Sequence, residues 1–131
     1  MGYDDQYESK LIRGDQDPLP WNLAEVISNY LAISDMILDI GCGTAFKLLQ
    51  FSDSVRWIYG LEPNEKMLSK ATKNINQTKV SNITLVRGRC EKVPFVDDIF
   101  DVVTCMVAPH DTGELYRVLR PGGYAILEKV G

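Results

Sequence analysis

One histidine and three cysteines in 131 residues leave the chain short of the side chains that build most metal and redox sites. Cys42, Cys90 and Cys105 lie inside apolar runs and lack the short paired spacings of a zinc site or a dithiol. They read as reduced, buried thiols, and no metal is expected. No apolar run approaches the roughly 20 residues that cross a bilayer, and Met1-Gly2-Tyr3-Asp4-Asp5 is not a basic region leading into an apolar stretch. A membrane span and a secretory signal are therefore not expected, and the chain is placed in the cytoplasm. Basic residues are also too few for a nucleic-acid surface: 14 Lys and Arg stand against 18 Asp and Glu, a net charge of −4. A phosphate backbone is met by clustered cations. There is no internal repeat and no low-complexity segment.

What is present is the material of one domain over 1–131. The polar stretch 1–21, with Pro18 and Pro20, reads as an arm. Leu23, Val26, Ile27, Tyr30 and Leu31 then follow the stripe of an amphipathic helix, with Asn22 and Glu25 as its cap. Five apolar, β-rich runs follow, at 36–40, 55–61, 83–86, 100–107 and 124–130, with helical segments or loops between them. Near-continuous apolar strands in this rhythm predict a parallel sheet covered on both faces. A helix from Asn64 is predicted to bury Met67, Leu68, Ala71 and Ile75 and to leave Lys66, Lys70 and Lys73 in solvent. A second, from Asp111, has Glu114 placed for a capping box and Leu115, Val118 and Leu119 on its apolar side. Asp97 and Asp98 read as a solvated turn, with Asp101 opening the fourth strand.

Chemistry concentrates where the first strand ends. In Leu38-Asp39-Ile40-Gly41-Cys42-Gly43-Thr44-Ala45-Phe46 a buried strand runs into a glycine turn and then a helix. Glycines at 41 and 43 permit a sharp bend and close approach of a ligand. Phe46 stands where a dinucleotide fingerprint has its third glycine, which turns the reading away from a nicotinamide oxidoreductase. About twenty residues on, Gly60-Leu61-Glu62-Pro63-Asn64 puts a carboxylate at the end of the neighbouring strand, where it can accept from both hydroxyls of a ribose.

These segments, with Val93-Pro94-Phe95, Phe100-Asp101-Val102-Val103 and Arg117-Val118-Leu119-Arg120-Pro121-Gly122-Gly123, resemble the class I S-adenosylmethionine-dependent methyltransferases, in particular the methyltransferase type 11 group. The resemblance spans about 36–130 and implies an α/β fold: a Rossmann-like three-layer αβα sandwich with a mainly parallel sheet of strand order 3-2-1-4-5. It implies S-adenosylmethionine as cofactor and transfer of its methyl group to a small-molecule acceptor. By the same resemblance, backbone at Gly41, Cys42 and Gly43 would hold the methionine part and Asp39 would orient its amino group. Glu62 would bind the ribose, Pro63 and the main chain at Cys90 would flank the adenine, and Met106 and Val107 would form the floor near the sulfonium. Pro121-Gly122-Gly123 reads as a turn into the fifth strand.

The chain departs from the family pattern at three places. Ala45 stands where glycine is usual, which matters only if that residue needs a positive φ. Arg89 stands where an acidic residue usually accepts the adenine amino hydrogens; a guanidinium has donors only, leaving Glu91 or a main-chain carbonyl to substitute. Strands six and seven, usual in the family, are missing from the sequence, so the fifth strand is expected to be an exposed edge that pairs a homodimer, or the chain to be a shortened product. A catalytically silent binding module is the second functional reading. His110 has two readings, as a general base beside the acceptor or as a solvent-facing residue ahead of the helix cap. Tyr3, Tyr7 and Trp21 read either as a cover for the donor or as anchors of the arm.

Overall fold

The computed structural model describes residues 10–13, 35–106 and 108–128. Six strands, β1 (Lys10–Arg13), β2 (Met36–Ile40), β3 (Trp57–Glu62), β4 (Ile83–Arg87), β5 (Phe100–Met106) and β6 (Leu119–Glu128), form one sheet. The order is β4-β3-β2-β5-β6-β1 and every pairing is parallel. The five predicted strands thus take the predicted order 3-2-1-4-5. Among the described residues, three α-helices lie between strands: α1 (Phe46–Phe51), α2 (Glu65–Asn76) and α3 (Thr112–Val118).

Burial explains why the strands read as unbroken apolar runs. Successive residues of β2 fall into different layers: Ile37 packs with Leu48, Phe51, Ile58 and Ala71, whereas Leu38 packs with Leu61, Val103, Leu115 and Val118. Both faces are covered, so neither needs polar residues. Asn64 caps α2 by accepting from the Met67 amide (3.0 Å), and Asp111 caps α3 by accepting from the Glu114 amide (2.9 Å). Among the described residues no helix is long and apolar enough to cross a membrane.

Five expectations are corrected. The last strand is not an exposed edge: Lys10–Arg13, within the supposed arm, pairs with residues 124–127. The homodimer expected through that edge therefore has no open strand to use there. Pro121-Gly122-Gly123 is an excursion inside β6 rather than a turn before it, because Phe100 faces Leu119 while Val102 already faces Tyr124. One residue of β5 thus opposes four of β6. Gly122 has φ +82°, and a Cβ at Gly123 would stand 2.7 Å from the Asp101 carbonyl oxygen, so both glycines are needed. On α2, Lys66, Lys70 and Lys73 are solvated and Ala71 is buried, but Met67 is exposed. The capping box at α3 closes on one side only, since the Glu114 carboxylate turns to the Val93 amide instead. Cys42 and Cys105 are buried thiols, pushed up to about 12 by burial, but Cys90 is only half-buried. The helix predicted from Asn22, together with Tyr3, Tyr7 and Trp21, falls outside the described residues.

Candidate functional site

The glycine turn is docked on the end of β3 by backbone. The Gly41 and Cys42 amides both donate to the Leu61 carbonyl, at 2.8 and 3.0 Å. Gly41 and Gly43 have φ of +75° and +57°, the left-handed region where a side chain is strained. At Gly41 there is also no room: a Cβ would stand 2.4 Å from the Ala108 Cβ. At Gly43 nothing lies within 4 Å of such an atom, so the turn opens there onto free space. Ala45 follows with φ 65° and is buried. The condition under which alanine is costly at this position is therefore met.

Glu62 is 8% exposed, and both of its oxygens are already oriented. The Gly43 amide donates to Oε1 (2.8 Å) and the Asn64 amide to Oε2 (3.0 Å). A carboxylate has about four acceptor positions, so each oxygen keeps capacity for a further donor. Next to it on the sheet Asp39 is 3% exposed, paired across the strands with Gly60 and Thr104. The Thr104 hydroxyl donates to its Oδ1 at 2.6 Å. Burial pushes the Asp39 carboxyl up to about 7; the Thr104 hydrogen bond and the Lys47 charge oppose this, and the Glu62 charge adds to it.

A cleft of about 840 Å³ opens at the carboxyl ends of these strands, where ligands of open α/β sheets bind. Ile40, Gly41, Leu61 and Pro63 form its base, residues 87–91 one wall, and residues 108–111 the other. Of the residues singled out in the sequence, the cleft brings together Gly41, Pro63, Arg89, Cys90 and His110. Asp39, Cys42, Gly43 and Glu62 sit around the docked turn rather than on the cleft lining. His110 is exposed at the rim, a position consistent with either of its readings. Met106 ends β5, but its side chain and the whole of Val107 lie outside the described residues. Arg89 is exposed and donates to Glu91 Oε2 at 3.0 Å, while the Cys90 thiol donates to Oε1 at 3.0 Å. These bonds, the Cys90 one foremost, hold the Glu91 carboxyl below its ordinary range. Among the described residues no group of three His, Cys, Asp or Glu stands together as metal ligands.

Sequence reasoning missed Thr104, Asn64 and the pair Glu114–Arg117. Asn64 was visible as the start of a helix, but its amide bond to Glu62 was not. Thr104, a hydroxyl inside an apolar run, is the kind of buried polar residue that needs a partner, and the fold supplies Asp39.

Known proteins resemble the chain in sequence and in fold. A family profile described as "Methyltransferase domain" matches residues 37–123. The uncharacterised methyltransferase YcgJ of Bacillus subtilis is 32% identical over 84 residues, which is 64% of this chain and 33% of that one. An uncharacterised methyltransferase of Schizosaccharomyces pombe is 32% identical over 123 residues, covering 79% of this chain and 44% of its own length. In three dimensions the crystal structure of "a putative methyltransferase" from Bacillus halodurans superposes with a TM-score of 0.73 at 27% identity, over 81% of this chain and 49% of that one. The chain spans between a third and a half of the length of these relatives. With the matched segment running from the buried start of β2 through the glycine turn and Glu62 to Gly123, the chain belongs to the methyltransferase-domain family.

Proposed function

We propose that the chain binds S-adenosylmethionine across the glycine turn and the cleft, and that it serves the transfer of the donor's methyl group to a small-molecule acceptor. The observation that carries this reading is Glu62: a nearly buried carboxylate at the end of β3, held by two backbone amides beside a turn that opens onto free space. Such an acid suits a vicinal diol, because its geometry is fixed before the ligand arrives and the ordering cost on binding is small. The open space at Gly43 would admit the amino-acid end, and Asp39 lies on the adjacent strand end with Thr104 holding one of its oxygens. Pro63 on the base and Cys90 on the wall would flank the adenine, with the Glu91 carboxylate replacing the acid that Arg89 displaces.

When bound, the donor supplies a methyl carbon on a sulfonium, already a strong electrophile. The protein's share is then alignment and exclusion of water, which asks for no triad. Fixed carboxylates at Glu62 and Asp39 orient the donor, and the loop at 108–111, bearing His110, is where an acceptor would be met. A small-molecule acceptor is supported by the net charge of −4 and by relatives named demethylmenaquinone methyltransferase, one from Geobacillus being 29% identical over 99 residues. A silent binding module is the second reading. Arg89 favours it, as a guanidinium cannot accept from an adenine amine.

Calorimetric titration with S-adenosylmethionine and S-adenosylhomocysteine tests the donor site. Micromolar binding that falls about a hundred- to ten-thousandfold in Glu62→Ala is expected, from two charged hydrogen bonds of about 1.5–3 kcal/mol each. No heat with either ligand would overturn the donor site.

A further inference from the structure

We propose that Glu114 and Arg117 are positioning residues of the cleft: together they strut the loop between β4 and β5 against the start of α3 and so fix the spacing of the two walls. Arg117 uses all five of its N–H donors. Nε donates to Glu114 Oε2 (2.6 Å), and Nη2 to Glu114 Oε1 (3.1 Å) and the Val93 carbonyl (2.8 Å). Nη1 donates to the Phe95 carbonyl (2.8 Å) and Asp97 Oδ1 (2.9 Å). Glu114 Oε1 in turn accepts from the Val93 amide at 2.8 Å. Val93 is thus gripped on both sides of its backbone while its side chain is buried.

The strut reaches both walls by short covalent paths. Two residues before Val93 lies Glu91 on the first wall, and the Lys92 amide closes a turn on the Arg89 carbonyl. Three residues before Glu114 lies Asp111 on the second wall, fixed by its cap bond to the Glu114 amide. Through Val93 and the start of α3, the pair ties together the two loops that face each other across the cleft. A planar five-donor fork can do so; an ammonium with three donors on a flexible stem cannot.

The inference rests on the donor reading, in which Glu91 faces the exocyclic amine of the base. It is tested by the selectivity between S-adenosylhomocysteine and S-inosylhomocysteine, whose base carries an oxygen acceptor in place of that amine. The protein as it stands is expected to prefer the adenine ligand on the order of ten- to a hundredfold, the worth of a charged hydrogen bond. In Arg117→Lys that ratio is expected to fall to within about threefold, with faster amide exchange over 88–93 and unchanged exchange in β2 and β3. Loss of global stability alone would weaken both ligands equally and leave the ratio intact, and that result overturns the strut. Should Arg117→Lys not fold, Glu114→Gln carries the same test, since it keeps an oxygen facing Val93 and removes the charge opposite Arg117. If the unaltered protein binds neither ligand, the donor reading fails and the strut falls with it. Binding with an unchanged ratio in the variants removes the strut only.

Discussion

The two sides of the cleft are held in different ways. On the side of β2 and β3, backbone amides do the holding: those of Gly41 and Cys42 donate to the Leu61 carbonyl, and those of Gly43 and Asn64 fix the Glu62 carboxylate. On the side of β4 and α3, the main chain is irregular and is held by side chains that cross more than twenty residues of sequence, with Arg117 at the centre. The first side has its acids nearly buried, whereas on the second Arg89 and Glu91 are exposed. The first is a rigid receiver. The second is held by side chains that reach across the sequence.

If the comparison holds, the largest effect comes from the buried acid of the first side. Burial pushes the Asp39 carboxyl up to about 7 in the folded protein, whereas the unfolded chain releases this proton near the ordinary 3.8. Between those limits the native state binds more protons, so stability falls as pH rises through the window and the loss is complete above about 7. The full change is on the order of 4 kcal/mol, at about 1.4 kcal/mol per unit. Asp39→Asn removes the titration while its amide oxygen still accepts from Thr104. Urea unfolding at about pH 5 and about pH 8 should show the slope in the parent protein and little of it in the variant. Equal slopes in both would place the titration elsewhere.

Next in size is Gly41→Ala, which adds a methyl 2.4 Å from the Ala108 Cβ at a φ of +75°. Left-handed strain of about 1–2 kcal/mol and overpacking of about 1–3 kcal/mol predict a loss of roughly 3 kcal/mol. A change under about 1 kcal/mol would mean that the loop at 108 yields easily and that the base of the cleft is not rigid.

The same division decides what could be read in the sequence. Continuous apolar runs mark β2, β3 and β5, because a strand covered on both faces has no other way to be written. The positions of Gly41 and Gly43 were legible because a sharp turn makes a local backbone demand, and that of Glu62 because it follows the turn by a fixed spacing at the end of the neighbouring strand. Lys10–Arg13 was not: four residues in a polar stretch carry no period, and their pairing is decided by the open edge of β6, far away in sequence. The excursion in β6 was misread because Pro-Gly-Gly ordinarily punctuates a strand, and only the closeness of the Asp101 carbonyl to Gly123 shows why it is tolerated within one. Glu114 was read as half of a capping box; the reading failed because the Val93 amide, twenty-one residues away, competes for the same carboxylate. Long-range side-chain bonds of this kind leave no local pattern, so the second wall of the cleft emerged only from the fold.

The smallest effect is the most discriminating for the rigid side. Ala45 sits at φ 65° in the turn and is 1% exposed, with its methyl in the layer of Leu48 and Phe51. Changing it to glycine relieves about 1–2 kcal/mol of left-handed strain. It also removes a buried methyl worth about 0.8 kcal/mol and loosens the unfolded chain by about 0.4–1 kcal/mol. These contributions nearly cancel, so Ala45→Gly is expected to shift unfolding stability by less than about 1 kcal/mol in either direction. A larger gain would mean that the methyl contributes only strain and that the turn is held in shape wholly by its amide bonds to Leu61 and Glu62. A larger loss would mean that packing against α1, rather than backbone, positions the turn, and the contrast between the two sides of the cleft would then be one of degree.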